Sequence, residues 1–397
     1  MQFTPFSISR LPRISFGQGR INDVPALAAT YGRAVLLVTG THSFCGTPRW
    51  QVFTEALAAA GLRWLHFTVS GEPSPMLVDD AVSRFRGEVV DVVIAIGGGS
   101  VLDAAKAIAG LLPHGNSVMD HLEGVGKNVP YCGPSTPFIA VPTTAGTGSE
   151  ATKNSVLSVQ GPDGFKKSFR DECLIPEYAV IDPDLLASCP RELVAADGMD
   201  AFTQLLESYV SIKANPFTDA LAWSGMSAFK EGFFAAWEGV EPAASQGRGA
   251  MAYAALLSGI TLAQVGLGSV HGLASPLGAY FPIPHGVVCG TLVAAATEVN
   301  IKAMQKREPK HAALAKYAQV GRLLSGRNEV DDQSARSVLI TLLAEWSERL
   351  QLPRLHRYGI SSEDFPLIVA NSRGSSMQTN PIVLTDAEID QILMNRL

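Results

Sequence analysis

Between residues 32 and 112 the chain alternates short blocks of consecutive apolar residues with longer stretches whose apolar positions fall three and four apart. The blocks GRAVLLVTG (32–40), WLHFTV (64–69) and VVDVVIAIGGGS (89–100) are too short for core helices and run into glycine or a proline-containing loop. That pattern reads as strands buried on both faces. The intervening segments RWQVFTEALAAAGL (49–62), LVDDAVSRFRG (77–87) and SVLDAAKAIAGLL (100–112) have helical spacing. ISFG (14–17) adds a short strand, and TPFIAVPTTAGTGSEAT (136–152) repeats the strand-to-loop step. Strand and helix in alternation predict a parallel sheet covered by helices.

After AVIDPDL (179–185) the pattern changes. β-branched runs give way to alanine-rich segments of helix length at 198–213, 217–237, 246–266, 310–323 and 333–350. The expected organisation is an α/β domain over residues 1–186 and an all-helical domain over 187–397, with the boundary between Pro183 and Pro190. A chain of 397 residues is long for one domain, in agreement with two. No internal repeat or low-complexity tract interrupts it.

Composition narrows the function classes. Charged residues make up 17% and hydrophobic ones 47%, a balance suited to a large buried core. The net charge is −6 with no long basic run, so neither nucleic acid nor an anionic membrane surface is an expected partner. Cys45, Cys132, Cys173, Cys189 and Cys289 are odd in number, scattered and without a CxxC pair. They read as reduced thiols of a cytoplasmic protein. The segment MQFTPFSISRLPRISFG lacks the apolar core of a signal peptide, and no stretch reads as a membrane span.

Three stretches carry candidate chemistry. IAIGGGSVLDAAK places Gly97, Gly98 and Gly99 between a strand and a helix. Glycine lets backbone approach a ligand or adopt positive φ, and a helix N-terminus offers free N–H groups to a pyrophosphate. The competing reading is a tight structural turn. PTTAGTGSE (142–150) collects hydroxyls at a strand's C-terminal end, which suits either a ribose or nicotinamide amide or a plain polar turn. In ADGMDAFTQLLESYVS, Asp200 and Gln204 stand four apart and share a helix face. Downstream, GSVHGLASPLGAYFPIPHG holds His271 and His285 on Gly/Pro-rich backbone. One carboxylate, one amide oxygen and two imidazoles form a set able to hold Fe²⁺ or Zn²⁺.

In this order and spacing the stretches resemble the iron-containing (group III) alcohol dehydrogenases, from ISFGQG through GGGSVLDAAK, VPTTAGTGSE, VIDPDL, DGMDAFTQLLESYVS and GLGSVHGLASPLGAYFPIPHG to NPIVLTDAEI. The resemblance covers nearly the whole chain. It implies the architecture shared with dehydroquinate synthase-like enzymes, with cofactor and metal in the cleft between domains. It also implies interconversion of small alcohols with aldehydes or ketones by hydride transfer to or from NAD(P). Gly97, Gly98, Gly99 and Ser100 match the pyrophosphate loop, with Asp103 and Lys106 on its helix. Thr143, Thr144, Thr147 and Thr152 match cofactor contacts, and Lys166 or Lys167, with Lys167 preferred, matches a lysine near the ribose. Asp200, His271 and His285 match three metal ligands with catalytic roles. Gln204 stands where the family usually has a fourth, histidine ligand, and Ser275 where it commonly has a proton-relay histidine.

Gly40, at the end of AVLLVT, stands where many NAD-preferring relatives carry an aspartate, and Thr41 and Ser43 follow it. Without that acidic group NADP is slightly favoured over NAD. A homodimer or higher homo-oligomer is expected. The competing readings are a dehydroquinate synthase-like or glycerol dehydrogenase-like enzyme, and a metal-free nucleotide-binding relative without turnover.

Overall fold

The computed structural model describes residues 5–397. Six strands, β1 (Arg13–Phe16), β2 (Ala34–Gly40), β3 (Arg63–Val69), β4 (Val92–Gly97), β5 (Phe138–Pro142) and β8 (Tyr178–Ile181), form one parallel sheet in the order β1-β8-β5-β4-β2-β3. The period of two explains how its centre is buried on both sides. Val35, Leu37, Ile94, Ile96 and Val141 turn to the face covered by α1 (Val24–Ala29) and α2 (Pro48–Ala59). Leu36, Val38, Val93, Ala95 and Ala140 turn to the face covered by α3 (Pro75–Phe85) and α4 (Gly99–Leu111). Each Val, Leu or Ile so placed contributes roughly 1.5–3 kcal/mol of transfer free energy, which is why these runs contain no polar residue on either side until Thr39.

The remaining strands, β6 (Asn154–Val159) and β7 (Phe165–Arg170), form a separate antiparallel hairpin that the apolar pattern did not predict. Strand structure ends at Ile181, a 3-10 segment follows at Pro183–Ser188, and the chain is then helical: α5 (Arg191–Val210), α6 (Pro216–Glu238), α7 (Ala243–Val265), α8 (Ser269–Tyr280), α9 (His285–Arg307), α10 (Ala312–Ser325), α11 (Asp332–Arg349), α12 (Phe365–Asn371) and α13 (Asp386–Met394). One hydrophobic cluster, including Met199, Phe202, Phe229, Phe233, Leu292 and Leu339, holds them together. α9 is long and apolar enough by composition to cross a membrane, but 89% of its most apolar window is buried within the protein.

The Gly/Pro-rich stretch that carries the two histidines is largely helical. His271 lies in the first turn of α8, which tolerates Pro276 inside it, and His285 is the first residue of α9. Both rings are therefore fixed by helix geometry. The two halves of the molecule touch at backbone level where Gly148, at φ 62°, meets Gly259 of α7: a Cβ on Gly259 would lie 2.1 Å from the Gly148 carbonyl oxygen. No other residue fits that crossing.

Candidate functional site

The glycine loop joins β4 to α4. Gly98 has φ −75° and ψ −177°, so positive φ is not why glycine stands here. The reason is space: a Cβ on Gly97 would meet Val101 at 2.5 Å, one on Gly98 would meet Thr144 at 3.2 Å, and one on Gly99 would meet Thr147 at 2.6 Å. The threonine loop thus lies directly over the glycine loop. α4 starts without a side-chain cap, and Gly98, Gly99 and Ser100 are partly exposed, leaving its first-turn amides available to a ligand. Thr143 Oγ1 is buried with no partner in the protein.

Two of the expected cofactor residues face inward instead. Asp103 accepts from Ser149 Oγ and, at 3.0 Å, from the Val156 amide. The Thr152 hydroxyl accepts at 3.0 Å from Lys106, whose fully buried ammonium also reaches the Ser149 carbonyl at 2.9 Å and the Asn154 carbonyl at 2.5 Å. A buried cation demands such a set of acceptors. These groups hold α4, the threonine loop and β6 together.

The two candidate lysines differ in where they point. Alternation along β7 turns Lys167 to solvent and Lys166 inward. Lys166 Nζ pairs with both carboxylate oxygens of Glu72 at 2.9 Å, and its positive charge is close enough to help lower the basicity of His285. Ser275 Oγ donates to the Lys166 carbonyl at 3.0 Å. Its only proton is thereby committed, so as a relay it offers lone pairs alone. Gly40 closes β2, and the residues after it, Thr41, His42 and Ser43, are exposed.

The deeper cluster brings Asp200, His271 and His285 together. His271 Nε2 is 3.1 Å and His285 Nε2 3.7 Å from Asp200 Oδ1. Three residues that sequence reasoning missed complete the surroundings. Glu207, two turns after Asp200 on α5, accepts from His271 Nδ1 at 2.7 Å and from the Val270 amide at 2.7 Å. That bond fixes the ring with Nε2 toward the cluster, the usual support behind a ligating histidine. Cys289, one turn after His285, puts Sγ 3.5 Å from His271 Nε2. Ser258 donates at 2.8 Å to Gln204 Oε1, and the Gln204 amide donates to Asp200 Oδ1 at 3.3 Å. Ser258 also lies 3.4 Å from the Gly146 carbonyl, so the cluster is one short polar chain from the threonine loop.

The residues fit a divalent cation. Asp200 Oδ2 is buried without a partner. Burial opposes the Asp200 charge, yet His285 and His271 bring its pKa down to about 2. Desolvation lowers His285 to about 4, so its lone pair is free near neutrality. Burial works against charge on His271 too, but Cys289, Asp200 and Glu207 against the ring raise it well above the ordinary imidazole value. Burial pushes the Cys289 thiol up to about 12, so the two carboxylates carry that elevation, and an incoming cation takes the place of the His271 proton. Asp197, one turn before Asp200, is pushed up to about 7 by burial and by the Asp200 charge, with Thr144 opposing.

Residues 12–183 match the family profile described as iron-containing alcohol dehydrogenase, and residues 194–397 match that of the Fe-containing alcohol dehydrogenase family, C-terminal. An NAD-dependent methanol dehydrogenase of Bacillus methanolicus is 29% identical over 389 residues, covering 97% of this chain and 98% of its own. An NADPH-dependent butanol dehydrogenase of Clostridium saccharobutylicum is 31% identical over 358 residues, covering 89% and 87%. Among solved structures, a 1,3-propanediol oxidoreductase superimposes with a TM-score of 0.89 at 28% identity, over 99% of this chain and 100% of its own.

Proposed function

The chain belongs to the iron-containing alcohol dehydrogenase family, and from that premise we propose how its residues divide the work of interconverting an alcohol with an aldehyde or ketone. The observation that carries the proposal is the Asp200–His271–His285 cluster, set one polar chain from the threonine loop and supported by Glu207. The amides of Gly99 and Ser100 and the hydroxyls of Thr143, Thr144 and Thr147 bind the dinucleotide. Lys166, oriented by Glu72, borders the ribose side of the same cleft. Asp200, His271 and His285 hold the divalent metal, and Glu207 keeps the His271 lone pair pointed at it. When bound, the nicotinamide exchanges the hydride and the metal polarises the substrate oxygen. The buried, largely apolar walls around the cluster exclude water and strengthen these interactions.

The finer assignments rest on particular residues. Gly40 offers no carboxylate to repel a 2′-phosphate, and exposed Thr41 and Ser43 can donate to one, which supports use of NADPH. Fe²⁺ and Zn²⁺ both suit imidazole donors. All five cysteines are free, in keeping with a reducing, cytoplasmic setting. Self-association is supported by edge strand β1, whose Ile14 and Phe16 are 44% and 39% exposed. Elemental analysis of the purified protein combined with reduction of both NAD and NADP by a panel of small alcohols tests the proposal. One metal equivalent and dinucleotide reduction are expected. Protein that binds dinucleotide yet never turns over any alcohol or aldehyde, with metal supplied, overturns it.

A further inference from the structure

We infer that the fourth protein ligand of this centre is the Cys289 sulfur, and that Gln204 is a support for Asp200 and not a ligand. The inference rests on the reading that the cluster holds a divalent metal. Asp200, His271, His285 and Cys289 each offer one donor atom, and these atoms all lie within 4.8 Å of one another. Their spacing is informative. A tetrahedral ion with ordinary zinc bond lengths sets N···O edges of about 3.3 Å and N···S edges of about 3.6 Å. The structure has N···O separations of 3.1 and 3.7 Å, and N···S separations of 3.5 and 3.8 Å.

The surroundings agree. Cys289 is fully buried and one helical turn from His285, so the ring and the sulfur leave α9 on the same side. Its sulfur lies against the two imidazole nitrogens and the Asp200 carboxylate. Asp200 Oδ2, buried and unpartnered in the same cluster, points independently to a ligand there. Gln204 spends its amide on Ser258 and Asp200. To ligate, it would have to turn that amide over and give up its bond to Asp200, with Ser258 Oγ accepting the NH2 and donating to the Ala255 carbonyl 2.8 Å away. As the cation enters, the thiol proton leaves to solvent and a metal–sulfur bond forms with no change in oxidation state. One carboxylate and one thiolate then balance the dication. Such a set of one sulfur, two imidazoles and one carboxylate favours zinc over a hard cation.

Cobalt(II) is the probe, because a cobalt–thiolate bond gives a charge-transfer band in the near ultraviolet that nitrogen and oxygen ligands do not. The full-length protein is stripped with a chelator and reloaded with one equivalent of cobalt. Wild type and Gln204→Ala are expected to show the band. Cys289→Ser and Cys289→Ala are expected to lose it while still taking up cobalt, at an affinity lowered about tenfold or more. The near-isosteric serine variant guards against misfolding, checked by its circular dichroism. A wild type with full cobalt stoichiometry and no band overturns the assignment. So does a Gln204→Ala variant that loses cobalt as completely as His271→Ala while Cys289→Ala keeps it. Wild type that takes up no cobalt at all overturns the metal reading itself.

Discussion

Glutamine at position 207 perturbs the centre through a residue that reaches it only by way of His271. Glu207 accepts two buried bonds, from His271 Nδ1 and from the Val270 amide, both at 2.7 Å. Glutamine keeps one acceptor oxygen and adds an NH2, so one of those two donors must face a donor. If the oxygen stays on Val270, the NH2 meets Nδ1. The ring then carries its proton on Nε2, the atom facing Asp200, and loses the lone pair a metal needs. If the oxygen turns to His271, the Val270 amide is buried without a partner, a cost of about 1–3 kcal/mol. Losing the carboxylate behind a ligating imidazole lowers metal affinity roughly 10–100-fold, or about 1.4–2.7 kcal/mol. Metal held at about 100 times its Kd stabilises the fold by about 2.7 kcal/mol, and the substitution should leave only about 0.4–1.4 kcal/mol of that. Chelator competition gives the affinity, and thermal melts with and without metal give the stabilisation. A folded Glu207→Gln protein that binds metal within about threefold of wild type would refute the reasoning.

Gly40→Asp should shift kcat/KM from NADPH toward NADH by about tenfold or more, since a carboxylate there repels a 2′-phosphate; its Cβ needs only a small shift of Ser43 Oγ, 3.1 Å away. Steady-state kinetics with both cofactors read the ratio, and an unchanged ratio removes Gly40 from the site. Lys166→Ala should raise the KM for cofactor or substrate severalfold, whereas exposed Lys167→Ala should change neither; equal effects would mean that β7 does not select between them. Asp197 binds a proton in the native state up to about pH 7, whereas an unfolded aspartate loses it near pH 4. The metal-free protein should therefore lose stability as pH rises through that window, and Asp197→Asn should flatten the slope in urea melts taken from pH 5 to 8; parallel wild-type and variant curves would place that carboxyl elsewhere.

Much of the sheet was legible because burial on both faces leaves an unmistakable apolar run, as in Val35–Val38 and Val92–Ile96. The hairpin at residues 154–170 was not, because its strands are polar and half exposed, with SVQGPDGFKKS offering no alternation. Asp200, His271 and His285 were found from residue type and spacing. The helices that carry the two histidines were missed because Gly272, Pro276 and Gly278 read as loop punctuation. Gly272 serves packing instead: a Cβ there would lie 3.0 Å from Met377. Cys289 is visible as a partner only once His285 is known to begin a helix. Glu207 looked like one acidic residue in an apolar helix, and nothing local ties it to a ring 64 positions away. Lys166 and Lys167 could be separated only by strand alternation, which required knowing that there was a strand.

The crossing of Gly148 and Gly259 gives the molecule a fulcrum. Backbone meets backbone there with no side chain to compress, and the Gly161 amide donates to the Ala279 carbonyl at 3.1 Å, so these two close contacts join the halves. Ser258, next to the pivot, holds Gln204 and through it Asp200, which places the donor set on the short arm of the lever. The exposed turn at Thr41–Ser43 is on the long arm. The expected outcome is that a bound dinucleotide orders this turn while the donor atoms keep their separations. Hydrogen exchange should register this as cofactor-dependent protection at residues 41–43 with little change at 258–259, and large changes at the pivot itself would show that the halves separate by some other motion.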